Sequence, residues 1–231
     1  MNFYLSRLII EGISVLIINL LSVFNLNGIL NSYEIISSNN ISIFTEKIEY
    51  NTIQTYKDSQ PSNITKVLQE GKEGLVFKTI LGDEIVLEEP INEIVQLGTG
   101  KNGNYEGIIT GYGPDCKTCD GKGYVACNTK DKKSFNLIKD GIYYEDSEFG
   151  SVRVLAAALK EFPCGTIVEV DSKTLGKFTG IVLDTGYDMR RYYELGIYHF
   201  DVAFETEKDK MVAKTTDMSG NVKYNIQRWG W

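Results

Sequence analysis

Two aspartates stand where a carboxyl is costly. Asp184 closes the apolar run Gly180-Ile-Val-Leu-Asp and is followed by Thr185 and Gly186, while Asp201 lies inside Phe200-Asp-Val-Ala-Phe. A carboxyl flanked by large apolar side chains has to be paired, hydrogen-bonded or in use, because burial penalises its charged form. A carboxyl with a pKa raised in this way can protonate a leaving oxygen and later take a proton back. In an alternating strand, however, Asp201 could face solvent while Phe200 and Val202 face the core. The pattern alone leaves both readings open.

The cysteines are the second constellation. Cys116-Lys-Thr-Cys119-Asp-Gly-Lys-Gly has the CxxCxGxG form of a zinc knuckle, with Cys127 and Cys164 further along. A structural zinc takes four ligands, usually from two knuckles. Here there is one, so Cys127, Cys164 or the single histidine, His199, would have to complete it. Disulfides among Cys116, Cys119, Cys127 and Cys164 suit a chain outside the membrane, and free thiols are the third option. His199 reads as a strand surface residue rather than a ligand or base. The sequence has no phosphate-cradling glycine loop, no nucleophile elbow and no HExxH. No cofactor and no metal are expected.

These residues need elements to hold them, and the composition favours strands. The chain has 231 residues, with 22 glycines and only 4 prolines, a mixture suited to short strands and tight turns. Apolar strand-like runs lie at Gly107–Tyr112, Val152–Leu159, Thr166–Val170, Gly180–Asp184 and Tyr198–Phe204, and a last strand is expected to end near Trp229. Only Asp188 to Leu195 suggests a helical turn. Several short strands with glycine-bearing connections favour a closed barrel, which leaves no exposed edge. Between Ile41 and Gly100 the alternating runs are short and large apolar residues few, so an elongated sheet module is expected. With 24 basic against 31 acidic residues, the chain lacks the positive face that nucleic acid requires.

The N-terminus points outward. Leu8 to Leu30 is dominated by Leu, Ile, Val and Phe and would reach roughly 34 Å as a helix, enough to span a bilayer. Its densest part, Ile13 to Phe24, also suits the apolar core of a signal peptide preceded by Arg7. Either of these two readings exports the remainder; a buried helix of a soluble fold is the third. The expected layout is an anchor or signal over 1–34, a linker over 35–43, a β module over 44–102 and a barrel domain over 105–231.

Two stretches resemble known families. Thr45-Glu-Lys-Ile-Glu-Tyr, Thr65-Lys-Val-Leu-Gln-Glu-Gly-Lys-Glu-Gly and Glu93-Ile-Val-Gln-Leu-Gly-Thr-Gly resemble the G-five domain, a small extended β module of surface proteins and wall enzymes. Thr110-Gly-Tyr, Phe162-Pro-Cys-Gly-Thr, Val182-Leu-Asp-Thr-Gly and His199-Phe-Asp-Val-Ala-Phe follow the order seen in the three-aspartate domain. That second family is a six-stranded double-psi β-barrel, similar to the barrel of membrane-bound lytic transglycosylase A and of stationary-phase wall hydrolases. Its second and third aspartates fall on Asp184 and Asp201, whereas its first falls near Ala158.

The resemblance implies cleavage between MurNAc and GlcNAc in peptidoglycan glycan strands, leaving a 1,6-anhydro end. The nucleophile there is the sugar's own C6 hydroxyl, so one good acid suffices. Asp201 is the expected acid/base because its strand neighbours are the most apolar, with Asp184 as its electrostatic or positioning partner. Thr110, Tyr112, Thr185 and Gly186 are expected to line the glycan groove. The alternative is a non-catalytic peptidoglycan or surface-glycan binder on the same barrel, with the missing aspartate as its sign.

Overall fold

The computed structural model describes residues 35–36, 42–79, 83–117 and 119–231. The expected N-terminal hydrophobic helix and most of the linker lie outside the described residues. Among those described, no helix is long and apolar enough to cross a membrane. Strands make up 55 % of the chain, so the protein is mostly β, as its composition predicts.

In chain order the strands are β1 (Ile35–Ile36), β2 (Ser42–Ile48), β3 (Thr52–Pro61), β4 (Thr65–Gln69), β5 (Gly74–Thr79), β6 (Glu84–Glu88), β7 (Glu93–Gly100) and β8 (Asn104–Tyr112). There follow β9 (Tyr124–Asn128), β10 (Ser134–Asn136), β11 (Tyr143–Asp146), β12 (Gly150–Ala156), β13 (Ile167–Ser172), β14 (Gly176–Asp184), β15 (Tyr198–Ala203) and β16 (Asp217–Arg228). Two short helices interrupt the last third, α1 (Tyr187–Glu194) and α2 (Lys210–Thr215).

The chain divides into two compact units, and residues 44–102 contribute strands to both. The first unit draws on the chain up to Asn51 and on Glu70–Glu93. Its sheet runs β1-β2-β5-β6 with antiparallel neighbours. Val76 is the one fully buried apolar side chain in the described part of this unit, the thin core that sparse large apolar residues predict. Cross-strand charge pairs supplement it, with Lys78 reaching Glu46 and Glu84, each at 2.9 Å.

The second unit is Thr52–Gln69 with Ile94–Trp231. It contains a three-stranded sheet, β3-β7-β4, and a closed six-stranded barrel in the order β12-β14-β13-β16-β8-β15. The ring closes where β15 pairs back onto β12. The pairs β12/β14 and β8/β15 are parallel, and the other four are antiparallel. Five of these strands coincide with the five apolar runs of the sequence, and β16 is the expected last strand, ending one residue before Trp229. Both faces of β12 and β14 are buried, Leu155 and Val182 in the barrel interior with Phe200 and Val152, Val154, Ile181 and Leu183 against Cys127 of β9 and Phe135 of β10, so these runs read as near-continuous apolar stretches.

Phe162, Phe200, Tyr224 and Ile226 fill the centre. Each such side chain contributes roughly 1.5–3 kcal/mol by leaving water. The Tyr224 hydroxyl, buried with the ring, donates to the Ile108 carbonyl at 2.6 Å. Gly107 is where β8 and β15 come closest, since a Cβ there would collide with the Tyr198 carbonyl. The register of these strands fixes the site. Ala156 on β12 stands opposite Asp184 on β14 and opposite Asp201 on β15, and Asp201 in turn stands opposite Thr110 on β8.

Candidate active site

A cleft of about 590 Å³ opens at the C-terminal ends of β8, β12 and β14, beside Asp201. Asp184 and Asp201 both line it, together with Tyr112, Thr185 and Gly186. Thus five of the six residues expected at a glycan site share one surface. Thr110 does not face the cleft; it stands beside Asp201 and holds it. A larger hollow of about 700 Å³ is lined by the tyrosines Tyr105, Tyr198 and Tyr224 and by the charged Glu106, Asp171 and Lys177. Of these two hollows, the smaller is the one that holds carboxyls shifted by burial.

The two carboxyls are held differently. Asp184 accepts three hydrogen bonds, from the Thr185 N–H at 2.8 Å, the Ala126 N–H at 3.0 Å and the Tyr112 hydroxyl at 2.9 Å. Asp201 accepts one, from the Thr110 hydroxyl to Oδ1 at 2.7 Å. Burial raises the pKa of both, and the three donors to Asp184 oppose that rise by stabilising its charge. With one donor to resist burial, and with Glu207, Asp184 and Asp188 adding repulsion, Asp201 is pushed up to about 7. The arrangement therefore separates a carboxyl whose shift is large, Asp201, from one whose rise is held back by its three donors, Asp184. Tyr112 is held well above the usual phenol range, first by burial and then by the Asp184 charge, so it remains a hydrogen-bond donor.

His199 corrects the sequence reading. It is only 4 % exposed, not a surface residue, and its Nε2 lies 2.8 Å from Thr110 Oγ1. Burial lowers its pKa to about 4, with the Asp188 charge partly opposing, so the ring is neutral near pH 7. The alternation of β15 conceals this, because His199 and Asp201 lie on the same side of the strand, away from Phe200 and Val202. That side is covered by α1 at His199 and opens into the cleft at Asp201. The Tyr192 ring of α1 stands edge-on to the imidazole at 5.2 Å.

The cysteines form two disulfides, Cys116–Cys119 and Cys127–Cys164. This takes the knuckle's thiols out of the ligand set weighed for zinc. The first pair lines the cleft beside Asp120, and the second ties β9 to the turn before β13. Ala158, where the resemblance puts a first aspartate, is 4 % exposed, and its carbonyl accepts from the Glu161 and Phe162 N–H groups at 3.0 and 2.9 Å.

Sequence reasoning missed Tyr124, Tyr187, Asp188 and Met189, which complete the cleft wall. The Gly186-Tyr-Asp step following an aspartate-ended strand is the signal that could have found three of them, since it opens a helix at the cleft rim. Among the described residues the lining holds Asp120, Asp184, Asp188 and Asp201 and no lysine or arginine. Such a surface repels anionic ligands and offers acceptors to neutral hydroxyl and amide donors, with tyrosine rings beside them. No protein-family model matches the chain, and no curated protein matches its sequence.

Proposed function

We propose that this protein cuts peptidoglycan glycan strands in the manner of a lytic transglycosylase. The observation that carries the reading is the pairing, in one cleft, of a singly hydrogen-bonded Asp201 poised near neutrality with a triply hydrogen-bonded Asp184. Asp201 gives its proton to the glycosidic oxygen as the bond from MurNAc C1 breaks. The C6 hydroxyl of the same MurNAc attacks C1, and the Asp201 carboxylate takes the hydroxyl proton. The products are a 1,6-anhydro-MurNAc end and a free GlcNAc hydroxyl, and the enzyme regains its starting protonation. Asp184, whose charged form accepts three hydrogen bonds, stabilises positive charge developing at C1. No cofactor takes part.

The barrel reads as a double-psi barrel on this proposal, supported by its two parallel pairs, β12/β14 and β8/β15, set in an otherwise antiparallel ring. The G-five-like stretch would act as a spacer or contribute adhesion, and the Leu8–Leu30 segment would place both outside the membrane. One observation favours the rival, a glycan binder that does not cut. Ala158 supplies no acid, so two carboxyls stand where the similar family has three.

The test is to incubate the full-length chain with purified peptidoglycan and search for anhydro-muropeptides by mass spectrometry. The expected result is their release by the unaltered chain and a loss of at least about 100-fold in Asp201→Asn, the usual weight of a general acid. Co-sedimentation with peptidoglycan without any anhydro product would establish the binder and overturn the cutting mechanism.

A further inference from the structure

The Thr110 hydroxyl lies between two buried groups and has one proton to give. It stands 2.7 Å from Asp201 Oδ1 and 2.8 Å from His199 Nε2. If it donates to Asp201, the imidazole must donate to it and so carries its proton on Nε2. If it donates to His199, the imidazole must carry its proton on Nδ1. The two states differ in what happens at Nδ1, which is buried with no hydrogen-bond partner. In the first state Nδ1 is a bare lone pair; in the second it is an N–H with nowhere to donate. A buried donor without an acceptor is the more unfavourable orphan, and native structures rarely contain one.

We propose that His199 is a positioning residue: as the Nε2–H tautomer it holds the Thr110 proton toward Asp201 Oδ1, so that the carboxyl carries its own proton on Oδ2. Oδ2 has no hydrogen-bond partner among the described residues and belongs to a side chain that lines the cleft, so it is the oxygen a ligand can meet. The inference rests on Asp201 being the acid of the proposed reaction, and it assigns which of its two oxygens delivers the proton. A carboxyl whose proton wandered to Oδ1 would point it at Thr110, away from the substrate.

The groups facing this chain of bonds are few. His199 touches Thr110 from β8 and Tyr192 from α1 and feels the charge of Asp188; Asp201 is bonded to Thr110 and feels Tyr112 from β8, Asp184 from β14, Asp188, and Glu207 beyond the end of β15. None is a cation, so the imidazole itself supplies the polarising donor. Protonating His199 would keep Nε2–H and add an Nδ1–H with no acceptor, which agrees with the depressed pKa of the ring.

Because the chain has a single histidine, one label reads the tautomer directly. Two-bond proton–nitrogen correlations of the 15N-labelled full-length protein distinguish the Nε2–H, Nδ1–H and cationic rings. The expected pattern at pH 7 is pure Nε2–H, persisting to about pH 5; an Nδ1–H ring or a mixture of tautomers overturns the proposal. This measurement needs no variant and no activity, so it stands whether or not the protein cuts glycan. The second arm follows the Asp201 carboxyl by 13C NMR titration. His199→Leu removes the donor behind Thr110 and should raise the Asp201 midpoint by roughly half a unit to one unit. His199→Gln, whose side-chain amide can donate from nearly the same place, should restore most of it. A midpoint unchanged in a folded His199→Leu variant, or raised equally in both, would show that the imidazole only fills space.

Discussion

Asp201 is held in a state that works against the fold. Its carboxyl ionises at about 7 in the folded chain against 3.8 for the ordinary value, so the folded protein binds this proton more tightly than the unfolded one. By linkage, the wild-type fold loses stability as pH rises from about 4 to about 7, and the deficit is constant above that. Asp201→Asn should therefore be more stable than the wild type at pH 8, by about 1–3 kcal/mol, and equal to it below pH 4. Urea denaturation of the two proteins at both pH values checks this; a variant less stable at pH 8 would show that Asp201 is not strained by its surroundings. The same acid sets the pH profile of the proposed reaction. A general acid must be protonated, so turnover should fall as pH rises through about 7.

At the scale of elements, the site is a product of register. β14, β12 and β15 are neighbours in the barrel, and Ala156 between the two aspartates is small enough to leave their carboxyls room. Strands so placed must not slip, since a one-residue shift would turn Asp201 and His199 toward the core and Phe200 toward the cleft. One lock lies at the end of β16. Arg228 makes two hydrogen bonds to Asp146 on β11, at 3.0 and 2.7 Å, and donates to the Gly165 and Gly230 carbonyls. Gly165 sits at φ +86 under the Trp231 ring, where a Cβ would clash with the indole. Burial alone would raise the Asp146 pKa, but Arg228 and the Glu148 and Phe149 N–H groups more than offset it and the net shift is downward. Asp146→Ala would leave the buried Arg228 with only the longer 3.7 Å contact to Glu148 as a charge partner, and should cost about 3 kcal/mol in equilibrium unfolding. Adding Arg228→Met should recover part of that loss, because the pair's worth lies largely in not being broken.

For the whole second unit, the disulfides divide into a brace and a rim. Cys127–Cys164 closes a loop of sequence separation 37 and joins the β9 hairpin to the barrel; Cys116–Cys119 spans a separation of 3 within the cleft wall. Chain entropy makes the first worth about 3–4 kcal/mol and the second only about 1–2. Replacing Cys127 and Cys164 together with alanine should lower the melting temperature by roughly 10 °C, about twice the effect of the same change at Cys116 and Cys119. Calorimetry decides it, and equal effects would mean that the hairpin is held by packing instead. The four cleft aspartates add a property of the molecule as a whole. A net charge of -7 and a cation-free cleft should make any glycan binding tolerant of salt, unlike binding to a polyanion.

Much of this was legible in one dimension. Closing a barrel buries its strands on long stretches, and that requirement writes itself into the sequence as the runs that became β8, β12, β13, β14 and β15. The two aspartates were visible because a carboxyl among apolar neighbours breaks the pattern that burial imposes. What the sequence could not say was which way a strand's polar side faces. Period-two alternation assigns Asp201 and His199 to one side, yet only the packing of α1 against β15 shows that this side is covered at His199 and forms a cleft at Asp201. Thr110, 91 residues from Asp201 along the chain, became its one hydrogen-bond donor among the described residues through the pairing of β15 with β8. The pairing of the four cysteines was likewise open in the sequence, since spacing allows several outcomes and only proximity in space selects among them. Side-chain chemistry is local and was legible; the environments that tune it are made by contacts between distant segments, and those exist only once the barrel has closed.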